Sequence, residues 1–425
     1  MDDTIFALSS GAPPAAIGVI RISGPAAGEA LRALTGRDIA PRSARLARLH
    51  DHAGATLDDA LVLWFPGPNT ATGEDLAELH CHGGRAVIAA VEAALALMEG
   101  LRSAEPGEFT RRAFANGRID LSEAEGLADL LSAETEMQRS AAFAMAGGAF
   151  SKTIEDWRAR ILGFSAEVEG VLDFSDEEDS AGLPADFSNR LDVLCEELDL
   201  WLARPRAERL AEGFKVILAG PPNAGKSSLF NELVENSAAI TSPIAGTTRD
   251  VIERSVALSG IPFTFVDTAG LREDGDDPIE AIGVAKARQA LERADLVLWL
   301  GPEGEGPLGS WEIAARSDAA DFEAKHNARH TLSAVTGEGL NALREDLIEC
   351  ARESMPKPGE AALNARQHAL LAEAYAALQE TTGRSDLLIV AEGLRAARLA
   401  FDRLVGRATT EDMLDTLFGR FCIGK

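Results

Sequence analysis

The sequence is poor in cysteine and in positive charge, and it has no long apolar run. Four cysteines in 425 residues do not make a disulfide framework, which excludes the stapled secreted scaffolds and points to a reducing compartment, the cytoplasm. Nowhere does an apolar stretch approach the roughly 20 residues of a membrane-spanning helix, so no membrane association is expected. The opening residues, MDDTIFALSS, are acidic, unlike a signal or transit peptide. Against 68 Asp and Glu stand 41 Lys and Arg, a formal net charge of −27. Such a balance argues against a general nucleic-acid binder. A local exception is RALTGRDIAPRSARLARLH, where Arg32, Arg37, Arg42, Arg45 and Arg48 have only Asp38 in opposition. Its ordinary reading is a solvated face; its functional reading is a patch for RNA.

What is present falls into segments. GVIRIS (18–23) and ALVLWF (60–65) read as strands, and PAAGEALRALTG and RAVIAAVEAALALME have helical periodicity. From Leu121 to about Leu210 the pattern is helical, with Ser122 and Glu125 as a capping box at its start. FKVILAG (214–220), PFTFVDTAG (262–270), ADLVLWLG (294–301) and ARHTLSA (328–334) are strands that alternate with helical stretches, the pattern of a doubly wound α/β domain. SMPKPGE (354–360) is a linker, and the remainder returns to helix. The expected fold is multidomain: an α+β domain over 1–117, a helical domain in two parts, 118–211 and 355–425, and an α/β domain over 212–354 inserted between them.

GPPNAGKSSL (220–229) fits G-x-x-x-x-G-K-[ST] between a strand and a helix, the context that a phosphate-binding loop requires. Gly220 and Gly225 let the backbone wrap the phosphates; the loop amides of Asn223 and Ala224 and the helix start at Lys226, Ser227 and Ser228 favour phosphate oxygens. Lys226 would neutralise the β- and γ-phosphates and Ser227 would ligate Mg²⁺. Downstream, AGTTRD supplies the hydroxyls of Thr247 and Thr248, and DTAG supplies Asp267, Thr268, Ala269 and Gly270, with Asp267 placed to hold Mg²⁺ through water and the Gly270 amide to meet the γ-phosphate. Together these pieces make a GTPase switch. No glutamine follows DTAG to orient the attacking water; Glu280 is the carboxylate on offer. The Asn223 amide could join loop carbonyls around a monovalent cation, where it would take the place of an arginine finger. HCHGG (80–84) has the spacing of metal ligands, but no second cluster completes a site, and it reads as a turn before a helix.

With these residues in view, the chain resembles the bacterial MnmE (TrmE) family of tRNA-modification GTPases. The resemblance rests on IGVIRISGP, TGEDLAELHCHGG, EPGEFTRRAFANGRIDLSEAEGLADLL, GPPNAGKSSLFN, SPIAGTTRD, DTAGLRE and FCIGK, and it spans essentially the whole chain. It implies an N-terminal domain that dimerises and binds a formyl-tetrahydrofolate-type carrier through Arg21, Glu78, Arg118 and Lys425. It implies K⁺ at Asn223 and the carbonyls of Ser242, Ile244 and Thr247, Mg²⁺ at Ser227 and Thr248, and Glu280 orienting the water. An FAD-containing partner would complete a heterotetramer that places an aminomethyl or carboxymethylaminomethyl group on C5 of the wobble uridine of certain tRNAs. Cys422, fourth from the end in the outline of a lipidation box, ends that box in Lys rather than in one of its usual residues. The resemblance instead puts Cys422 at the folate site; a structural thiol is the alternative.

The departure lies in base recognition. Where GTPases carry N-K-x-D, this chain has WEIAARSDAAD, which puts Ala315 at the Asn position, Arg316 at the Lys position and Asp318 at the Asp; Ser333 and Ala334 match the later Ser-Ala pair. Arg316 is expected to lie over the base. Two other functions fit parts of the pattern: a GTP-controlled RNA-binding or ribosome-assembly switch, and a folate-dependent aminomethyltransferase acting on a substrate other than tRNA.

Overall fold

The computed structural model describes residues 3–173, 182–235, 238–239, 252–267, 291, 293–408 and 410–425. They form two compact units, Met1–Ala128 with Leu399–Lys425, and Asp129–Arg398.

In the first unit the strands are β1 (Thr4–Leu8), β2 (Ile17–Ser23), β3 (Arg45–His50), β4 (Thr56–Phe65), β5 (Leu76–His82) and β6 (Leu101–Ser103), in the order β3-β4-β5-β2-β1-β6. Alternation decides which face is covered. Ile20, Ile22, Ala60, Val62, Leu79 and Cys81 point one way and pack with Leu31 and Leu34 of the helix Ala27–Thr35 and with Ile88, Val91 and Leu95 of the helix Arg85–Ala96. Arg21 and Glu78 are cross-strand partners of opposite parity on β2 and β5, as are Leu61 and His80 on β4 and β5.

The helix Glu411–Phe418 closes this unit. Its Leu417 and Phe418 are buried with Leu121, Ala124 and Phe421. Gly107 must be glycine: its φ is 70°, and a Cβ there would lie 2.2 Å from the Phe418 carbonyl oxygen. The helix that begins at Leu121 has its capping box at Asp120 and Glu123, each bonding the other's amide at 2.8 Å, and not at Ser122 and Glu125. The reason is that Ser122 faces inward and donates to the Leu404 carbonyl. Beneath β1, Arg112 is fully buried and bonds Asp3, Glu74 and Glu108, while Arg102 bonds Asp3 and Glu108 from the outer side.

In the second unit β7 (Phe214–Ala219), β8 (Ala238–Ala239), β9 (Ile252–Leu258), β10 (Ile261–Asp267), β11 (Leu296–Trp299), β12 (Trp311–Ala314) and β13 (His330–Thr331) form a sheet in the order β13-β12-β11-β7-β10-β9-β8. The pairs from β10 to β13 through β7 are parallel, and β8 and β9 are added antiparallel. Helices Lys226–Glu235 and Leu340–Ser354 contribute Leu229, Leu233, Leu343 and Leu347 to its core. This is the P-loop α/β domain inserted into helical sequence. Helix Phe187–Leu202 before it packs with helix Ala365–Gln379 after it, and the Ala207 amide donates to the Leu363 carbonyl at 2.9 Å. Among the described residues no helix is long and apolar enough to cross a membrane.

Candidate functional site

The strand β7, apolar except for Lys215, ends at the centre of the second sheet, and the helix Lys226–Glu235 starts seven residues later. Between them Gly220 takes a φ of 147°, and a Cβ on it would sit 2.9 Å from the Gly301 nitrogen. Asn223 has a φ of 62°, a region that asparagine tolerates better than most residues. The loop is thus wound tightly enough for its amides to converge. Lys226 is buried, and its Nζ donates to the carbonyls of Gly220 and Pro221, both at 2.7 Å. Burial holds its pKa below the ordinary lysine value, and the Asp267 charge opposes that shift. An anion over the loop would stabilise the charged form. Ser227 Oγ donates to Asp267 Oδ2 at 2.7 Å, and Asp267 is buried at the end of β10, beside Leu218. Hydroxyl and carboxylate oxygens are hard donors of the kind Mg²⁺ prefers, so the residues present fit that ion. Ser228 is exposed next to them.

The base-recognition loop follows β12. Arg316 is held by the phosphate loop and by its own turn. Its φ is 63°, its Nη1 donates to the Asn223 carbonyl at 3.3 Å and its Nη2 to Asp321 at 3.2 Å. The stem runs along the phosphate loop, with Cγ 3.3 Å from where a Cβ on Gly225 would be. The backbone turn at Arg316 and the charge of Asp321 together orient the guanidinium. Asp318 is exposed and accepts from Ser333 Oγ at 2.5 Å, and the Ser333 oxygen in turn takes the amides of Val335 and Thr336. Ala334 is half-buried behind it. One oxygen of Asp318 is fixed by this bond and the carboxylate is aimed. Asp318→Asn is therefore expected to weaken GTP roughly 10- to 100-fold, the loss of one charge-assisted contact of about 1.5–3 kcal/mol. Xanthosine triphosphate, with a carbonyl in place of the 2-amino group, should gain. Competition titration checks this; equal affinities in both proteins would move the role to Asp321.

Ser242, Ile244, Thr247, Thr248, Thr268, Ala269, Gly270 and Glu280 lie outside the described residues.

The second cluster is in the first unit. Arg21 donates to Glu78 Oε1 through Nε and Nη2, at 3.2 and 2.9 Å, and its guanidinium lies 5.8 Å from the centre of the Phe109 ring. The Phe109 amide donates to the Lys425 carbonyl at 3.2 Å. So Arg21, Glu78 and Lys425 are brought together through Phe109. Arg118 is exposed after the helix Glu108–Ala115, its stem against Gly73. His80 was not singled out as part of this group. Its Nε2 pairs with Glu78 Oε2 at 3.2 Å. Period-two alternation along LAELHCH was the signal for it: His80 shares the parity of Glu78, whereas Cys81 is buried. Burial raises the Glu78 carboxyl, but the bond from His80 and the charge of Arg21 outweigh it and hold the carboxyl below its ordinary value. His82, the other histidine of HCH, pairs with Asp58 at 2.7 Å.

The thiols separate cleanly. Burial pushes the Cys81 thiol up to about 12 and raises Cys195 and Cys350 as well. Cys422 is exposed, and its carbonyl accepts from the amides of Gly107 and Lys425.

Residues 4–118 match the family described as GTP-binding protein TrmE N-terminus, and residues 121–422 match the MnmE helical domain. The tRNA modification GTPase MnmE of Erythrobacter litoralis is 64% identical over 423 residues, with all of both chains covered. That of Novosphingobium aromaticivorans is 62% identical over 437 residues, again with full coverage of both. Among solved structures, the G domain of the T. maritima FeoB iron transporter is similar over 32% of this chain and 98% of its own, at 28% identity and a TM-score of 0.24.

Proposed function

The chain belongs to the MnmE family of tRNA modification GTPases, and from that premise we propose that it couples GTP hydrolysis to the building of an aminomethyl or carboxymethylaminomethyl group on C5 of the wobble uridine of certain tRNAs. It is a GTP hydrolase acting in tRNA modification, and it uses GTP and Mg²⁺. The observation that carries the nucleotide half is the Lys226, Ser227 and Asp267 arrangement at the ends of β7 and β10. Lys226 holds the β- and γ-phosphates, Ser227 and Thr248 ligate Mg²⁺, and Glu280 orients the water. Asn223 with the carbonyls of Ser242, Ile244 and Thr247 holds K⁺.

The carrier half is supported by the Arg21–Glu78 pair packed on Phe109 beside Lys425. An ionised Glu78, with Oε1 taken by Arg21 and Oε2 shared with His80, can accept one further N–H from a pterin edge, and Arg118 and Lys425 suit an anionic tail. A tetrahydrofolate, bound here as its 5-formyl form, supplies a one-carbon unit. Cys422, exposed beside Lys425 in sequence, acts at this site. Residues 1–117 dimerise two copies, 118–211 with 355–425 form the helical domain, and 212–354 form the G domain. The partner that brings FAD completes a heterotetramer on tRNA in the cytoplasm.

The test is equilibrium binding of 5-formyl-tetrahydrofolate to the nucleotide-free protein. Binding that is lost in Arg21→Ala, with GTP turnover intact, is expected. No folate binding by the unsubstituted chain would favour the GTP-controlled RNA-binding switch. In parallel, GTP turnover should fall when Na⁺ replaces K⁺, since the smaller ion fits a carbonyl ring of this kind poorly; equal rates would remove K⁺ from the site.

A further inference from the structure

We infer that the arginines between Leu31 and Leu49 form a docking strip for the phosphate backbone of a folded RNA, which is tRNA under the function proposed above, on which this inference rests. They lie on and before β3, the edge strand of the first sheet, and Arg32, Arg37, Arg42, Arg45 and Arg48 are all exposed. Two are neutralised. Arg32 pairs with Asp38 at 2.6 Å, and Arg48 grips Asp59 with two bonds of 2.9 and 3.0 Å.

The other three have no carboxylate partner among the described residues. Arg37 Nη2 donates to the Leu46 carbonyl at 2.5 Å. Arg42 Nη2 donates to the Asn69 carbonyl at 2.6 Å, and its guanidinium lies 5.9 Å from the centre of the Phe65 ring. A backbone carbonyl orients a guanidinium without cancelling its charge, and it leaves other N–H groups of the fork for a second acceptor. Arg42 is also kept at a φ of 54°, where asparagine or glycine would sit at less cost. The strip thus presents three uncompensated cations, Arg37 and Arg42 of them oriented by carbonyls, in a chain of net charge −27.

Guarding an edge strand against pairing explains less. A charge of either sign would guard it, and an acidic chain has carboxylates to hand. The spacing argues for an extended anion. Arg42 sits in the turn before β3 and Arg45 at the strand's first position, so the two guanidinium groups start from successive points of the edge rather than from one. Guanidinium matches phosphate in shape and is weakly hydrated. An acidic protein face is the other possible occupant. RNA is favoured because the family acts on tRNA, and because the rest of so acidic a chain repels a polyanion and leaves this strip as the place of attraction.

The test uses the full chain and an unmodified tRNA transcript, with equilibrium binding measured across a KCl series. Log affinity of the unsubstituted protein should fall linearly with log salt. In the triple variant Arg37→Gln, Arg42→Asn, Arg45→Gln the slope should be shallower by about 2–3, at about 0.7–0.9 per phosphate contact, and affinity at low salt should drop at least tenfold. GTP turnover and folate binding should be unchanged. The pair Arg32→Gln, Arg48→Gln should alter the slope less than half as much, because those charges are already cancelled. Unsubstituted affinity and slope in the triple variant would overturn the inference. So would a lack of salt-dependent tRNA binding by the unsubstituted chain, or self-association of the triple variant with tRNA affinity intact, which would make the arginines edge guards. In cells the two readings part: fully modified wobble uridine in a strain lacking the protein defeats the proposed function, whereas normal modification by the triple variant defeats only the docking strip.

Discussion

Lys226→Ala is expected to lower GTP affinity about 100- to 1,000-fold and to leave the fold intact. The ammonium is buried at the start of a helix whose free amides already favour anions. On the loop it can make charge-assisted bonds to two phosphate groups. Each is worth about 1.5–3 kcal/mol, and a tenfold change in affinity is about 1.4 kcal/mol. Truncation also leaves the Gly220 and Pro221 carbonyls without the donor they now hold at 2.7 Å, which adds like-signed dipoles facing the phosphates. Titration with a fluorescent GTP analogue, alongside thermal unfolding of the unliganded variant, measures both halves. A loss below tenfold with an unchanged unfolding profile would remove Lys226 from the phosphate site.

Arg112→Ala should destabilise the first unit by about 3–5 kcal/mol, the usual cost of breaking a buried charge network on one side. Arg112 has no exposed side-chain surface and bonds three carboxylates, those of Asp3, Glu74 and Glu108. After its loss Arg102 still bonds Asp3 and Glu108, and Glu74 loses the cation it is paired with. The pH dependence gives a second signature. Burial raises the Asp3 and Glu108 carboxyls, but the bonds and charge of Arg102 and the bonds of Arg112 outweigh it, joined at Glu108 by the Glu105 amide and at Asp3 by the charge of Arg112, and both are held below their ordinary values. A depressed folded-state pKa contributes stability above the unfolded value, near 4 for these groups. That stability is lost as pH falls through the folded value. The unsubstituted unit should therefore weaken steeply below about pH 4, and Arg112→Ala should start weaker and fall less. Hydrogen exchange of β1 and β2 against pH follows this unit alone, which global melting of a chain with two compact units would not. Exchange protection in Arg112→Ala within about 1 kcal/mol of the parent would show the carboxylates to be satisfied without it.

The phosphate loop was legible because its requirements are local: glycines where the backbone turns tightly, then lysine and serine at a helix start. The central strand β7 was legible because its stretch after Lys215, Val216 to Ala219, is buried on both faces and reads as one apolar run. Others were hidden for physical reasons. Thr4–Leu8 is buried without alternation, so it has no period to detect. Arg45–His50 looks like an arginine-rich surface, yet Ala47 and Leu49 turn inward, alternating with exposed Leu46 and Arg48. In β5 the two histidines and the cysteine have a metal-like spacing, while the strand's alternation is the informative signal. The direction of Arg316 could not be read either. It depends on a positive φ and on Asp321, both settled by the folded loop. The union of Arg21, Phe109 and Lys425 is likewise tertiary, since the three are far apart along the chain.

The most direct test of the function is mass spectrometry of tRNA nucleosides from three strains: one lacking the protein, one complemented with the unsubstituted chain, and one complemented with Lys226→Ala. The expected result is that C5-aminomethyl-type wobble uridine disappears in the first, returns in the second and stays absent in the third. Full modification in the strain lacking the protein, or full rescue by Lys226→Ala, would contradict a GTP-driven role in building that nucleoside.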